Sequence, residues 1–328
     1  MKNPIRKLIP KFASYFKWVY PSYLYDLKRY YKYSNTVQGN ASRVKLIGKI
    51  IMYYHSVEKG LTMPEFRAGF GEPNLLVLIS ECKTFILNYG KNDVQLQHAV
   101  MVIKEYKAVH DRLNFKLSDK LDTAIKELAD LAEDLQPSIQ KVITRDEYFK
   151  STNASFEDFS HSRLSVRHYN EDEVSLEALQ KAVDLSRNTP SACNRQTSHV
   201  YVYTDKEKIA AILKAQGGNR GFGHLANKLI IITAELGVYA GPAERNQAFI
   251  DGGMYAMNVL YALHYYKIAG CILNCSTSPE KDMRIRDLSG IAESESLIAM
   301  VSCGNVPDTF KVPLSKRYAV ESVLTVIN

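Results

Sequence analysis

The chain has 328 residues, 46% apolar and 23% charged, an ordinary globular composition that can bury one large core or two modest ones. It holds no run of about 18 uncharged apolar residues for a membrane span, and its start lacks the apolar stretch and cleavage site of a secretory signal, so the expected compartment is the cytoplasm. The net charge of +7 is unevenly placed: residues 1–50 hold eleven Lys or Arg and a single acid, Asp26, so the rest of the chain is slightly acidic.

The chain opens on Ile5, Leu8, Ile9, Phe12, Phe16 and Val19 at helical spacing, with Arg6, Lys7, Lys11 and Lys17 between them. Six tyrosines follow, at 20, 23, 25, 30, 31 and 33, among Lys28, Arg29 and Lys32. Residues 1–35 are therefore a basic, aromatic, amphipathic segment. Two readings stand: peripheral contact with an anionic membrane surface, or a helix packed on the rest of the protein or on a second subunit with its lysines solvated. No groove-reading motif supports nucleic acid as a partner.

In the stretch around YYHSVEKGLTMPEFRAGFG, four ionisable side chains, His55, Glu58, Lys59 and Arg67, fall among three glycines and a proline. That spacing predicts a folded loop over 55–71 rather than a continuous helix. As a lid or substrate-contact segment, it makes His55 or Glu58 available for proton transfer. The plainer alternative is a capped helix end followed by a turn whose charges pair locally.

Three helices follow. Leu75, Leu78, Ile79, Cys82, Phe85, Ile86 and Tyr89 make an apolar stripe stopped by Gly90; a second runs from about Val94 to Leu113; a third starts at the N-cap Ser118 and ends before Pro137. Residues 36–150 read as a helical module. His98 and His110 have no second ligand at metal-site spacing, the five cysteines form no Cys-x-x-Cys pair, and no metal is expected.

Beyond a boundary near 150, helices and strands alternate in an α+β pattern: a helix from Ser175, strand 199–203, a helix from Asp205, strand 228–234, a long helix opened by Pro242, strand 271–275, a helix from Ser278 and strand 297–303. The long helix is apolar on most sides and is expected to be buried. Ahead of these, Arg163, Ser165 and Arg167 alternate, so two guanidinium groups and a hydroxyl can converge on one anion. An ordinary surface helix start with a serine cap is the alternative. Pro190, Ser191 and Ala192 then form a small-residue turn that lets backbone N–H groups approach a flat ring, and the amides of Asn194 and Gln196 can donate to and accept from its edge. As alternatives, these are a turn asparagine and a solvated loop amide. Together the two motifs suggest a phosphorylated flat cofactor.

Arg163-x-Ser165-x-Arg167, then Pro190-Ser191-x-x-Asn194-x-Gln196 and a strand, resembles the FMN-dependent nitroreductase family. The resemblance continues through Asp251-Gly252-Gly253 and Asn258, Ala269-Gly270 and the closing Lys316-Arg317, and so covers about residues 155–328. It implies a nitroreductase-like mixed sheet flanked by helices, preceded here by an all-helical module. It also implies FMN as cofactor, NADH or NADPH as donor and a small-molecule acceptor such as a nitro compound, quinone or specialised metabolite. A homodimer in which two subunits share each flavin site is part of the same implication, with no catalytic residue beyond the flavin. Arg163, Ser165 and Arg167 with Lys316 and Arg317 would hold the phosphate end, and Asn194 the pyrimidine edge. Two departures stand out: Leu164 where the family often has a second basic residue, and Thr197-Ser198 where it commonly has Pro-aromatic. A different flavin enzyme on this scaffold, a dehydrogenase, dehalogenase or flavin-fragmenting protein, is one competing reading. A non-catalytic, membrane-associated binding or assembly protein that keeps the fold is the other.

Overall fold

A computed structural model of the chain describes residues 15–35, 42–132, 135–137 and 140–327; the expected helical stretch 5–14 lies outside them. The chain divides into two compact units, each discontinuous in sequence. One comprises the described residues through Tyr33 together with Ile143–Phe310, the other Ser34–Val142 with Lys311–Asn328. Helix α1 (Tyr20–Tyr33) belongs to the first and has no buried residue.

The second unit is built on α2 (Arg43–Leu61), α3 (Glu72–Tyr89), α4 (Val94–Arg112) and α5 (Asp119–Leu131). Their starts follow from capping chemistry: Ser42, Asp93 and Ser118 each accept from backbone N–H groups that the first helical turn leaves unpaired. Gly90, at φ 78°, ends α3. Ile50, Leu75, Leu78, Leu96, Ile103, Tyr106, Leu121 and Leu128 form the core. The expected loop over 55–71 is corrected here. Helix α2 runs on to Leu61, so His55, Glu58 and Lys59 are helical and only Arg67 of the four lies in the connection that follows. The helix persists because Ile50, Tyr54, Val57, Glu58 and Leu61 face the core at helical spacing. Gly60 marks a close approach instead of a break: a Cβ there would lie 2.0 Å from the Phe70 ring.

In the first unit, α6 (Arg145–Phe149), α7 (Phe156–Ser162) and α8 (Leu176–Ser186) precede a four-stranded sheet. Its strands are β2 (Ser198–Tyr203), β3 (Lys228–Glu235), β4 (Ala269–Asn274) and β5 (Glu295–Gly304), in the order β2-β3-β5-β4 with every pairing antiparallel. A further pair, β1 (Lys141–Thr144) with β6 (Thr309–Val312), was not foreseen from the sequence. Helices α9 (Lys206–Gln216), α10 (Gln247–Tyr265) and α11 (Pro279–Ser289) complete the α+β architecture expected. The central strand β3 is buried along nearly its whole length. Ile230 and Ile232 on β3, Val301 and Cys303 on β5, Val259 and Leu263 on α10, and Leu179 and Ala182 on α8 share one core.

The long helix departs from expectation in two ways. It starts at Gln247, after a separate 3-10 turn at Pro242–Glu244 entered through Gly241 at φ 82°. Nor is it buried all round. Asp251, Gly252, Ala256, Val259 and Leu263 face the fold, while Phe249, Ile250 and Met254 are exposed.

Candidate functional site

After α7 the chain is extended through Arg163–Arg167, so Arg163, Ser165 and Arg167 alternate with Leu164 and Val166. Gly270 on β4 fixes this segment: its carbonyl accepts from the Val166 N–H at 3.1 Å. The alternative of an ordinary surface helix start is not what is found; these residues follow one helix, and the next begins only at Leu176. Arg163 lies beside Tyr148 and His264, and its Nε is buried without a partner among the described residues. Arg167 is buried, with its guanidinium 5.9 Å from the centre of the Phe222 ring and NH1 donating to the Ser165 carbonyl at 3.5 Å.

The turn after α8 has an unusual backbone. Cys193, Asn194 and Gln196 all have positive φ, at 54°, 55° and 50°. A non-glycine residue there costs on the order of 1 kcal/mol or more, so three in four residues need a surround that enforces them. Asp251, buried on α10, supplies the main anchor. Its carboxylate accepts from the Ala192 N–H at 3.2 Å, from Gln247 Nε2 at 2.7 Å and from the Tyr239 hydroxyl at 3.3 Å. Thr197 joins the network through the Tyr239 hydroxyl at 2.9 Å, so the residue that departs from the family pattern is a fixed support. Asn258, one helical turn along from Tyr255, donates to Thr189 Oγ1 at 2.6 Å. Gly252, beside the anchor, lets α10 approach β5; a Cβ there would lie 2.6 Å from Ile298.

Arg195, which the sequence reading did not single out, ties the turn down. Its Nε donates to the Ala192 carbonyl at 3.0 Å, its NH1 to the Val238 carbonyl at 3.1 Å, and the guanidinium forms a two-pronged pair with Glu244. That pair, with the Ala240 N–H, pulls the Glu244 carboxyl down to about 2. An arginine next to a matching glutamine gave no local signal, because its partner is 49 positions away.

One expectation is narrowed by these bonds. The N–H groups of Ala192, Asn194, Arg195 and Gln196 all donate within the fold, to Asp251, the Ser191 carbonyl, the Ala192 carbonyl and Ser191 Oγ. These four are not presented to a ring. What the turn does present is side chains: Pro190, Ser191 and Gln196 line a cleft of about 200 Å³ together with Arg187, Thr189, Ser198, Asp251 and Tyr255, and Asn194 is exposed beside them. Gln196 Nε2 donates to the Asn194 carbonyl at 3.3 Å, which couples the two amide-bearing residues.

The remaining candidates belong to the helical unit. Lys316 and Arg317 are exposed, and the Lys316 carbonyl accepts from Gln95 at 3.4 Å. Arg317 offsets part of the rise that burial and Glu58 impose on the Tyr54 phenol. Glu58 is fully buried, with His55 at 3.1 Å and His98 at 2.8 Å. Burial opposes its charge, but the hydrogen bonds from both histidines outweigh it and hold the carboxyl below its usual range. Arg67 is exposed. Among the described residues no group of three His, Cys, Asp or Glu could hold a metal ion, and Cys193 is the exposed cysteine of the five.

Residues 161–219 match the sequence model of the Nitroreductase family. Comparison with curated proteins finds no match. Solved structures similar to this chain include an FMN-dependent nitroreductase from Clostridium difficile R20291, 22% identical over 50% of this chain and 92% of its own, with a TM-score of 0.41. A BluB-like flavoprotein from Clostridium difficile 630 is 20% identical over 53% of this chain and 99% of its own, with a TM-score of 0.43. A nitroreductase family protein from Clostridium novyi NT is 14% identical over 47% and 86%, also at 0.43. The Arg163–Arg167 segment and the 190–196 turn both fall within the stretch that matches the Nitroreductase family model.

Proposed function

We propose that the protein is an FMN-dependent oxidoreductase in which NADH or NADPH reduces the flavin and the flavin reduces a small-molecule acceptor. The observation that carries this is the turn at 190–196, held in an unfavourable backbone by Asp251 and Arg195 at the edge of a cleft, inside the family-matched stretch. The residues fit the cofactor. Arg163 keeps a buried guanidinium N–H without a partner among the described residues, the donor an anion such as a phosphate satisfies.

When bound, FMN supplies the redox chemistry, accepting a hydride equivalent and passing electrons on. The chain's own residues bind and orient. Arg163 donates to the phosphate, with Ser165 beside it, while Arg167 adds positive charge from its seat against Phe222. Asn194 and Gln196 read the polar ring edge, and the Asp251–Tyr239–Thr197 network keeps their backbone from relaxing. That division of labour is why no general acid, base or nucleophile is needed at the turn. The exposed Phe249, Ile250 and Met254 on α10 support the homodimer that the resemblance implies.

An absorbance spectrum with anaerobic addition of NADH and of NADPH tests the reading. The expected result is a bound flavin that bleaches with at least one donor, and an Arg163→Ala protein that retains at least about tenfold less flavin, the loss of one charge-assisted hydrogen bond. A wild-type protein that stays colourless after FMN is supplied overturns the function, and unchanged flavin content in Arg163→Ala overturns the role of that residue.

A further inference from the structure

We infer that Asp26 on α1 and Arg245 are positioning residues for the 190–196 turn, acting on it through the 3-10 turn at Pro242–Glu244. On the flavin reading above, their pairing makes the N-terminal segment a determinant of cofactor affinity. Three non-glycine residues at positive φ leave the 190–196 turn free to relax unless its surround holds it. Arg195 is one of its holders, and Arg195 is itself held by Glu244, the last residue of the 3-10 turn. A single 3-10 turn entered through Gly241 at φ 82° has few bonds of its own. What steadies it is the next residue. Arg245 NH1 folds back to donate to the Pro242 carbonyl at 3.1 Å, while Nε and NH2 donate to the Asp26 carboxylate at 2.5 and 2.8 Å. Asn246, the N-cap of α10, makes no side-chain bond to its own helix and donates instead to Asp26 at 3.4 Å. Asp26 therefore grips both residues that join the 3-10 turn to α10.

The two ion pairs stand on consecutive residues, Glu244 towards the turn and Arg245 towards α1. One planar peptide unit joins them, so a shift in the seat of one is passed to the other. Charge placement agrees. Asp26 is the single acid among residues 1–50, and the hydrogen bonds from Arg245 hold its carboxyl below the usual carboxylate range, so both partners are ionised. It also brings a negative charge to the start of α10, whose own first turn has no acid. Ser22 and Asp26, one helical turn apart, are half-buried, while Tyr23, Tyr25 and Leu27 are exposed. No residue of α1 is buried, so core packing does not fix the helix and directed bonds such as these do.

Hydrogen–deuterium exchange of the full chain, read by mass spectrometry, tests this with or without flavin. The N–H groups of Ala192, Asn194, Arg195 and Gln196 donate within the fold, so they exchange slowly while the turn is held. Asp26→Asn is expected to speed exchange over 190–198 and 240–247 by about two- to fivefold, the scale of one ion pair, and to leave β5 unchanged. Arg245→Gln should do the same, and the double variant no more than the larger single, because the two act as one unit. In protein supplied with FMN, both single variants are expected to bind it about two- to fivefold more weakly. Asp26→Glu, which keeps the carboxylate, should restore both readouts. Unchanged exchange over 190–198 in Asp26→Asn overturns the inference, whether or not the protein binds flavin. Faster exchange with FMN affinity equal to wild type confines the pair to local stability and overturns its role at the site. Faster exchange in a protein whose wild type takes up no FMN upholds the hold on the turn and overturns the flavin reading instead.

Discussion

His264, at the end of α10, sits in an aromatic cage with ring centres of Tyr148, Phe159 and Phe149 at 4.9, 5.4 and 5.7 Å. The Ser162 hydroxyl donates to the Phe159 carbonyl at 2.8 Å, so its lone pairs face His264 Nε2 at 2.7 Å. Nε2 therefore carries the proton, and Nδ1 is a buried acceptor without a partner among the described residues. Burial, reinforced by the Arg163 guanidinium, pushes the imidazole down to about 4. The unfolded chain has its histidine near 6.5, so between these values it is the unfolded state that binds the proton. The neutral ring thus costs nothing above about pH 6.5, and stability falls as pH drops from there to about 4, by about 3 kcal/mol in full. Denaturant titrations of wild type and His264→Phe across that window check this: the difference between the two proteins should shift towards the variant as pH falls. A constant difference would mean the cage does not hold the ring neutral.

At the scale of elements, capping residues and stripes made the helices of 43–131 legible, because Ser42, Asp93, Ser118 and Gly90 act through neighbours two to four residues away. The Arg-x-Ser-x-Arg segment and the 190–196 turn were legible as motifs. What holds them was not: Asp251 reaches back 59 residues to Ala192, and Arg195 forward 49 to Glu244. Nor could spacing show that the N–H groups of Ala192, Asn194, Arg195 and Gln196 are spent inside the fold. Glycine misled where it serves packing rather than turning, as at Gly60, read as a loop signal yet helical. Gly60→Ala tests that reading, since two effects oppose each other. Helix propensity favours alanine by at most about 1 kcal/mol, while a Cβ 2.0 Å from Phe70 forces the ring to move. That ring is boxed in by Phe66 at 5.8 Å and Tyr106 at 5.1 Å, so overpacking of about 1–3 kcal/mol should win. Denaturant unfolding should show a net loss; a gain would mean that Phe70 swings aside freely.

For the whole molecule, the sequence reading divided the chain into consecutive blocks at 35 and 150, and the last block took everything to the end. Compactness divides it otherwise, since the residues from Lys311 onward group with Ser34–Val142. The bonds involved are few and non-local, which is why composition gave no sign of them: the Leu314 N–H donates to Gln140 Oε1 at 3.3 Å, and Gln95 donates to the Lys316 carbonyl at 3.4 Å. Val312 and Pro313 are buried alongside them. Deleting Lys311–Asn328 would expose the surface Val312 covers and remove both bonds, a loss of about 3 kcal/mol. The two divisions predict different victims. If the tail belongs to the helical unit, its removal lowers the unfolding midpoint reported by helical signals and opens proteolytic sites within residues 42–132, leaving 143–310 protected. If the tail is instead the end of a continuous flavin-binding block, the helical unit keeps its stability and the cuts appear in 143–310. Limited proteolysis read by mass spectrometry, alongside a circular-dichroism melt, separates the two, and cleavage confined to 143–310 would restore the consecutive division.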